Sequence, residues 1–97
     1  MIRHLALLTF AEATTDEQVR AIESALAGLP GRIPELVAYT FGRDLAIDAG
    51  NASFAVVAEV ADEEGYAAYR DHPEHQRIIA ELIRPVLAAR SAIQVRI

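Results

Sequence analysis

Residues 3–10, Arg3-His4-Leu5-Ala6-Leu7-Leu8-Thr9-Phe10 (RHLALLTF), decide the fold. Their length and apolar content suit a strand, and along a strand successive side chains point to opposite faces. One face then carries His4, Ala6, Leu8 and Phe10, and the other Arg3, Leu5, Leu7 and Thr9. Both faces are largely apolar, so a strand built this way has to be covered on both sides. Helices of the same chain can supply one cover. The other has to be found.

Working outward, Thr15-Asp16-Glu17-Gln18 reads as a capping box, with Val19, Ile22, Leu26 and Leu29 following at helical spacing until Gly28 and Pro30-Gly31 stop the helix. Ile33-Pro34-Glu35 is a turn. Residues 36–45 (LVAYTFGRDL) form a second strand with Val37, Tyr39 and Phe41 on one face. After the turn cluster at 48–51, residues 52–60 (ASFAVVAEV) form a third strand, paired with the second as a hairpin. Asp62 caps a second helix through Asp71. Pro73 ends that helix or starts a third, whose apolar stripe runs Ile78, Ile79, Leu82, Ile83, Val86 and Leu87; Pro85 should kink it or loosen one turn. Residues 91–97 (SAIQVRI) close the chain as a fourth strand. The order β-α-β-β-α-(α)-β is the ferredoxin-like split pattern of the α+β class, with helices on one face of a four-stranded antiparallel sheet. One domain over residues 1–97 is expected. The economical second cover is the same sheet from another copy, so a homodimer through the open sheet face is expected, its sheets meeting face to face or closing a shared barrel. A ring of such dimers stays open as a larger assembly.

Composition bounds the partners. Hydrophobic residues make up 53% of the 97, more than so small a chain hides easily by itself. The net charge is −5, all nine basic residues are arginine, and they are scattered, which argues against a nucleic-acid partner. The absence of cysteine excludes disulfides and thiolate metal sites. The apolar run at the N-terminus is too short to span a bilayer and meets Glu12 at once, so no membrane partner and a cytoplasmic location are expected.

Candidate chemistry gathers at residues 69–76, YRDHPEHQ. His75 falls near N3 of the third helix, where the positive end of the helix dipole disfavours the imidazolium. A neutral imidazole can act as general base; the competing reading is a histidine merely packed at a helix start. His72, just before Pro73, reads first as a boundary residue whose ring bonds nearby backbone. A metal reading of His72, His75, Glu74 and Asp71 lacks a second ligand cluster, and no metal or other cofactor is expected. Tyr66 and Tyr69 share a helix face; Tyr66 reads as core, while Tyr69 is divided between core and site. His4, a polar ring on an apolar strand face, is hydrogen-bonded in place, lines a cavity or, so near the chain start, is exposed at an edge. Glu59 needs a partner such as Arg3 or Arg96 if its face is covered, and Arg43-Asp44 reads as a solvated pair or a dimer-rim contact.

The segments RHLALLTF, TTDEQV, IPELVAYTFGRDL and FAVVAEVADEEGYAAYRDHPEHQRIIAELIRPVL resemble, in order and over nearly the whole chain, the stress-responsive A/B barrel domain (Dabb) family. AYRDHPEHQ with the downstream RPVL is the most specific part. The resemblance implies a dimeric α+β barrel. It also implies that, as in a plant branch similar to polyketide cyclases that use neither metal nor cofactor, His75 acts as base in a pocket shared with Tyr69 and His4. Where that branch has a further pocket tyrosine this chain has Leu26, and where members often carry a histidine early in the third strand it has Ser53-Phe54. His72, Leu26, Leu8 and Phe54 are then the expected substrate contacts around a small apolar ligand. Two further readings stand beside this one: a non-catalytic, stress-associated dimer or ring, and a cofactor-free monooxygenase-like barrel.

Overall fold

The computed structural model describes residues 1–97. Strand β1 (Ile2–Phe10) leads through Thr15 into helix α1 (Asp16–Ala27). The capping box forms as read: the Thr15 hydroxyl accepts from the Gln18 amide at 3.2 Å and the Gln18 side chain accepts from the Thr15 amide at 2.8 Å. Such a cap stabilises a helix by about 1 kcal/mol. Gly28 caps the other end, and a short 3-10 turn, Leu29–Gly31, follows. Strands β2 (Ala38–Arg43) and β3 (Phe54–Val60) pair antiparallel, Ala38 opposite Glu59 and Arg43 opposite Phe54. Gly50, at φ 83°, takes the left-handed position of the connecting loop.

Helix α2 (Glu63–Asp71) starts at Asp62, whose carboxylate accepts from the Gly65 amide at 2.8 Å. Helix α3 (Pro73–Ile78) widens into a π turn at Ile79–Ile83 and tightens into a 3-10 turn at Arg84–Val86 before β4 (Leu87–Arg96). Pro85 therefore ends the helical run rather than kinking a longer helix. Leu87, expected on its apolar stripe, begins the strand. β4 starts four residues before the expected Ser91, and β2 is shorter than residues 36–45. Leu45 lies outside β2 and is 81% exposed. No helix is long and apolar enough to cross a membrane.

The sheet order is β2-β3-β1-β4, all antiparallel, a ferredoxin-like α+β arrangement. The even positions of β1 (Ile2, His4, Ala6, Leu8) and of β3 (Phe54, Val56, Ala58, Val60) are buried under the helices. Ile22, Leu26, Leu29 and Ile33 pack down on them, each almost fully buried and each stabilising by about 1.5–3 kcal/mol. Arg43 joins β2 to α1 by reaching Glu23 at 2.8 Å and Asp16, so it does not pair with its neighbour Asp44. Asp44 instead accepts from Asn51 across the loop at 3.1 Å.

The opposite sheet face carries Leu5, Leu7, Val57, Ile93 and Val95. Within the chain nothing covers it, and Leu7, Ile93 and Val95 are 46%, 58% and 37% exposed. Glu59 lies on this face and finds Arg3 at 3.0 Å rather than Arg96. The reading of β1 as apolar on two faces thus describes the sheet: one face is closed by helices and the other is bare.

Candidate functional site

Between the helices and the β1–β4 side of the sheet lies a cavity of about 480 Å³. β1 contributes His4, Ala6 and Leu8, α1 contributes Leu26, β2 Tyr39, and α2 Tyr66 and Tyr69. His75 comes from α3, Ile79 and Ile83 from the π turn, and Arg90 from β4. The π turn pushes Ile79 and Ile83 toward this space, as such turns often do beside functional sites. His4, Tyr69, His75, Leu8 and Leu26, expected at the site, are therefore brought together.

The hydrogen-bond partners assign a proton position to each histidine. His75 Nδ1 lies 2.9 Å from the Arg70 carbonyl oxygen. A carbonyl only accepts, so Nδ1 is the protonated nitrogen and Nε2 of the neutral ring keeps its lone pair. Gln76 Nε2 donates to the same carbonyl at 2.6 Å. His4 Nδ1 lies 2.8 Å from Gln94 Nε2. The amide donates, so His4 Nδ1 accepts and its Nε2 bears the hydrogen. The cavity thus pairs one imidazole poised to accept a proton with one poised to donate a hydrogen bond.

The rings form a contiguous group. Tyr69, 2% exposed, lies 4.3 Å from His75, 6.2 Å from His4 and 6.0 Å from Tyr39, centroid to centroid. Tyr66 lies 5.2 Å from His4 and under the Arg70 guanidinium at 5.7 Å. Tyr66, read as core from the sequence, packs against the core and lines the cavity as well. The Tyr39 hydroxyl is buried, and the polar group beside it is the Tyr69 hydroxyl. Burial pushes the phenols of Tyr39 and Tyr69 upward, so both stay protonated donors.

Two expected contacts fall elsewhere. His72 does not line the cavity: its Nδ1 accepts from the Glu74 amide at 3.1 Å and caps α3. Phe54 lies beyond the cavity wall, 5.8 Å from Phe10 and stacked 6.1 Å from Phe41. At 2% exposure it is a core residue. Phe54→Ala should cost about 3–5 kcal/mol, visible as a large fall in the urea midpoint. An unshifted midpoint with altered ligand binding would return Phe54 to the site. No group of three or more His, Asp or Glu side chains converges as a metal site would require.

Both site histidines are held below the ordinary value of 6.5: His4 by burial, then the Arg90 charge; His75 by burial, with Arg90 adding and the Arg70 carbonyl opposing. Burial is the first cause that keeps His75 neutral. The sign follows for stability. Above pH 6.5 both rings are neutral folded or unfolded; below it the unfolded chain takes up protons that the folded one refuses. Stability is complete above about pH 6.5 and is lost as pH falls toward the folded values. The melting temperature should therefore drop between pH 6.5 and 5, before carboxylates titrate, and His75→Gln should shallow that drop. A flat profile across this window would contradict the assignment.

The family model described as Stress Responsive A/B Barrel Domain matches residues 2–96. A dimeric ferredoxin-like protein of unknown function from Thermobifida fusca is 47% identical, with TM-score 0.92 over 99% of this chain and 90% of its own. A dimeric protein of unknown function from Bacteroides fragilis, 16% identical, has TM-score 0.87, covering 99% of this chain and 95% of its own. A hydroxynitrile lyase from Passiflora edulis, also 16% identical, superposes with TM-score 0.85, covering 99% and 92%. Comparison with curated proteins finds no match.

Proposed function

The chain belongs to the stress-responsive A/B barrel domain (Dabb) family, and on that premise we propose that it is a homodimeric, cofactor-independent acid–base enzyme acting on a small, largely apolar carbonyl compound. The observation that carries this reading is the tautomer of His75: its Nδ1–H is spent on the Arg70 carbonyl, which leaves Nε2 as a free base beside a cavity of about 480 Å³. That volume lies within the 300–1,000 Å³ typical of small-molecule sites.

In the proposed step His75 Nε2 removes a proton from a carbon next to a carbonyl. The C–H bonding pair moves into the new C=C bond, and negative charge develops on the carbonyl oxygen. His4 Nε2–H and the Tyr69 hydroxyl donate to that oxygen, where preorganised donors act most strongly. The enolate then attacks a second carbonyl of the same molecule, as in a cyclase, or is reprotonated elsewhere, as in an isomerase. A hydroxynitrile lyase shares this fold.

The dimer supports the same reading through the sheet. Leu7, Ile93 and Val95 form an apolar surface of the kind that marks an association site, and the Thermobifida fusca relative is dimeric.

Exchange of the acidic protons of pentane-2,4-dione and of a 3-oxo ester for deuterium, followed by NMR in D₂O, tests the chemistry without knowledge of the natural substrate. Catalysed exchange above the buffer rate is expected. Exchange at the buffer rate for every such compound would leave the chain a non-catalytic binding dimer.

A further inference from the structure

The cavity of an acidic protein has a basic lip. The chain carries 14 acidic residues against nine arginines. Six arginines are in ion pairs, and Arg84, Arg90 and Arg96 are in none. Two of those three, Arg84 and Arg90, line the cavity, whereas no Asp or Glu does. Arg70 lines it as well, but Asp71 takes up its charge at 2.8 Å. Arg84 comes from the 3-10 turn before β4, and Arg90 stands opposite Leu8 across the β1–β4 ladder. Chance placement of unpaired arginines would favour acidic surroundings in a chain of net charge −5. Here two gather where acids are missing.

Resting on the enzymatic reading above, we propose that the substrate carries a carboxylate, held by Arg84 and Arg90 at the cavity lip while its carbonyl reaches His75. A guanidinium presents a planar fork that a carboxylate meets through two parallel hydrogen bonds. Further in, the wall turns apolar at Ala6, Leu8, Leu26, Ile79 and Ile83, which suits a short hydrocarbon chain. The Tyr69 hydroxyl supplies a second polar position inside, fitted to an oxygen on that chain. An oxo acid with a short apolar chain meets all three zones: the anion outside, the chain within, the keto oxygen at the phenols. The charge of Arg90 reaches His4, Tyr69 and His75 alike, so a carboxylate seated on it also shields the base from a repelling cation.

Calorimetric titration of the intact protein with hexanoate and with hexanamide tests this, because the two probes differ in charge and not in chain. Hexanoate is expected to bind at least about tenfold tighter, the scale of one charge-assisted contact. Added sodium chloride should erode its advantage and leave hexanamide unmoved. The double substitution Arg84→Gln with Arg90→Gln should bring the two probes to parity. Both side chains are exposed and free of ion pairs, so folding should survive, and the salt series needs no variant at all. Inorganic phosphate should bind far more weakly than hexanoate, since it lacks the chain. Equal affinity for acid and amide, equal affinity for phosphate, or no binding of either six-carbon probe would overturn the carboxylate site. The two readings fail separately. Catalysed exchange of pentane-2,4-dione with no preference for hexanoate overturns only the carboxylate site; a preference for hexanoate without exchange upholds the site and overturns only the enzyme.

Discussion

Replacing His75 by alanine is expected to slow catalysed deuterium exchange by about 10²–10⁴-fold, the usual worth of a positioned general base. The size of the loss follows from geometry. The Arg70 carbonyl holds the ring through Nδ1 at 2.9 Å and fixes both its tautomer and its aim. Burial keeps the ring neutral at pH 7, so nearly every molecule carries an available lone pair. Alanine leaves an opening beside Tyr69, whose ring centroid lies 4.3 Å from that of His75. Free imidazole should enter that opening and restore part of the rate. Because His75 is only half-buried, melting near neutral pH and the oligomeric state should change little. An exchange rate in His75→Ala equal to that of the parent would remove this residue from the chemistry, whatever the wild-type rate.

His75 was legible because two local signals met at it. Pro73 fixes where α3 begins, which fixes His75 as its third residue, and the family resemblance marks the same position. Its neutrality was expected from the helix dipole; burial acts in the same direction, and burial depends on what packs over the ring, Tyr69 of α2 above all. His4 was legible as a polar ring on an apolar face, and of its three readings two hold together: Gln94 bonds it and it lines the cavity, while at 4% exposure it is not an exposed edge residue. Tyr39 was placed with Val37 and Phe41 on one strand face by simple alternation, but nothing local showed that its hydroxyl would be buried beside Tyr69.

Arg90 could not be found from the sequence at all. Its place follows from register: Leu8 stands opposite Arg90 only because β4 begins at Leu87. The segment Leu87-Ala88-Ala89-Arg90 is small and charged and has no clear period, so it gave no strand signal. The apolar period of α3 ran past Pro85 on paper. In the chain, proline has no N–H to donate to the helical ladder, and the run passes through a π turn and a 3-10 turn within eight residues, Ile79 to Val86. The missed strand start and the missed arginine are thus one error. The misplaced Phe54 has another origin: it does face the helices, but that side of the sheet is long enough to hold an aromatic core at one end and a cavity at the other.

Ile93→Glu is expected to convert the proposed dimer to a monomer, halving the mass seen by light scattering at micromolar concentration. Ile93 is 58% exposed within one chain, opposite Leu5 on the bare sheet face. Around it Leu7, Val57 and Val95 leave no cation to pair a new carboxylate; the one arginine on this face of β1, Arg3, is already held by Glu59 at 3.0 Å. In a two-fold interface each substitution appears twice, so two carboxylates are desolvated at once. At several kcal/mol for each unpaired buried charge, association weakens by on the order of 10⁴-fold or more. The monomer fold should survive, because the fourteen-residue core cluster lies on the other face and contains neither Ile93 nor its open-face neighbours. Glu17→Ala, on the exposed side of α1, should leave the mass unchanged. A wild-type chain already monomeric at these concentrations, or an Ile93→Glu variant that stays dimeric, would mean that this face is not where two copies meet.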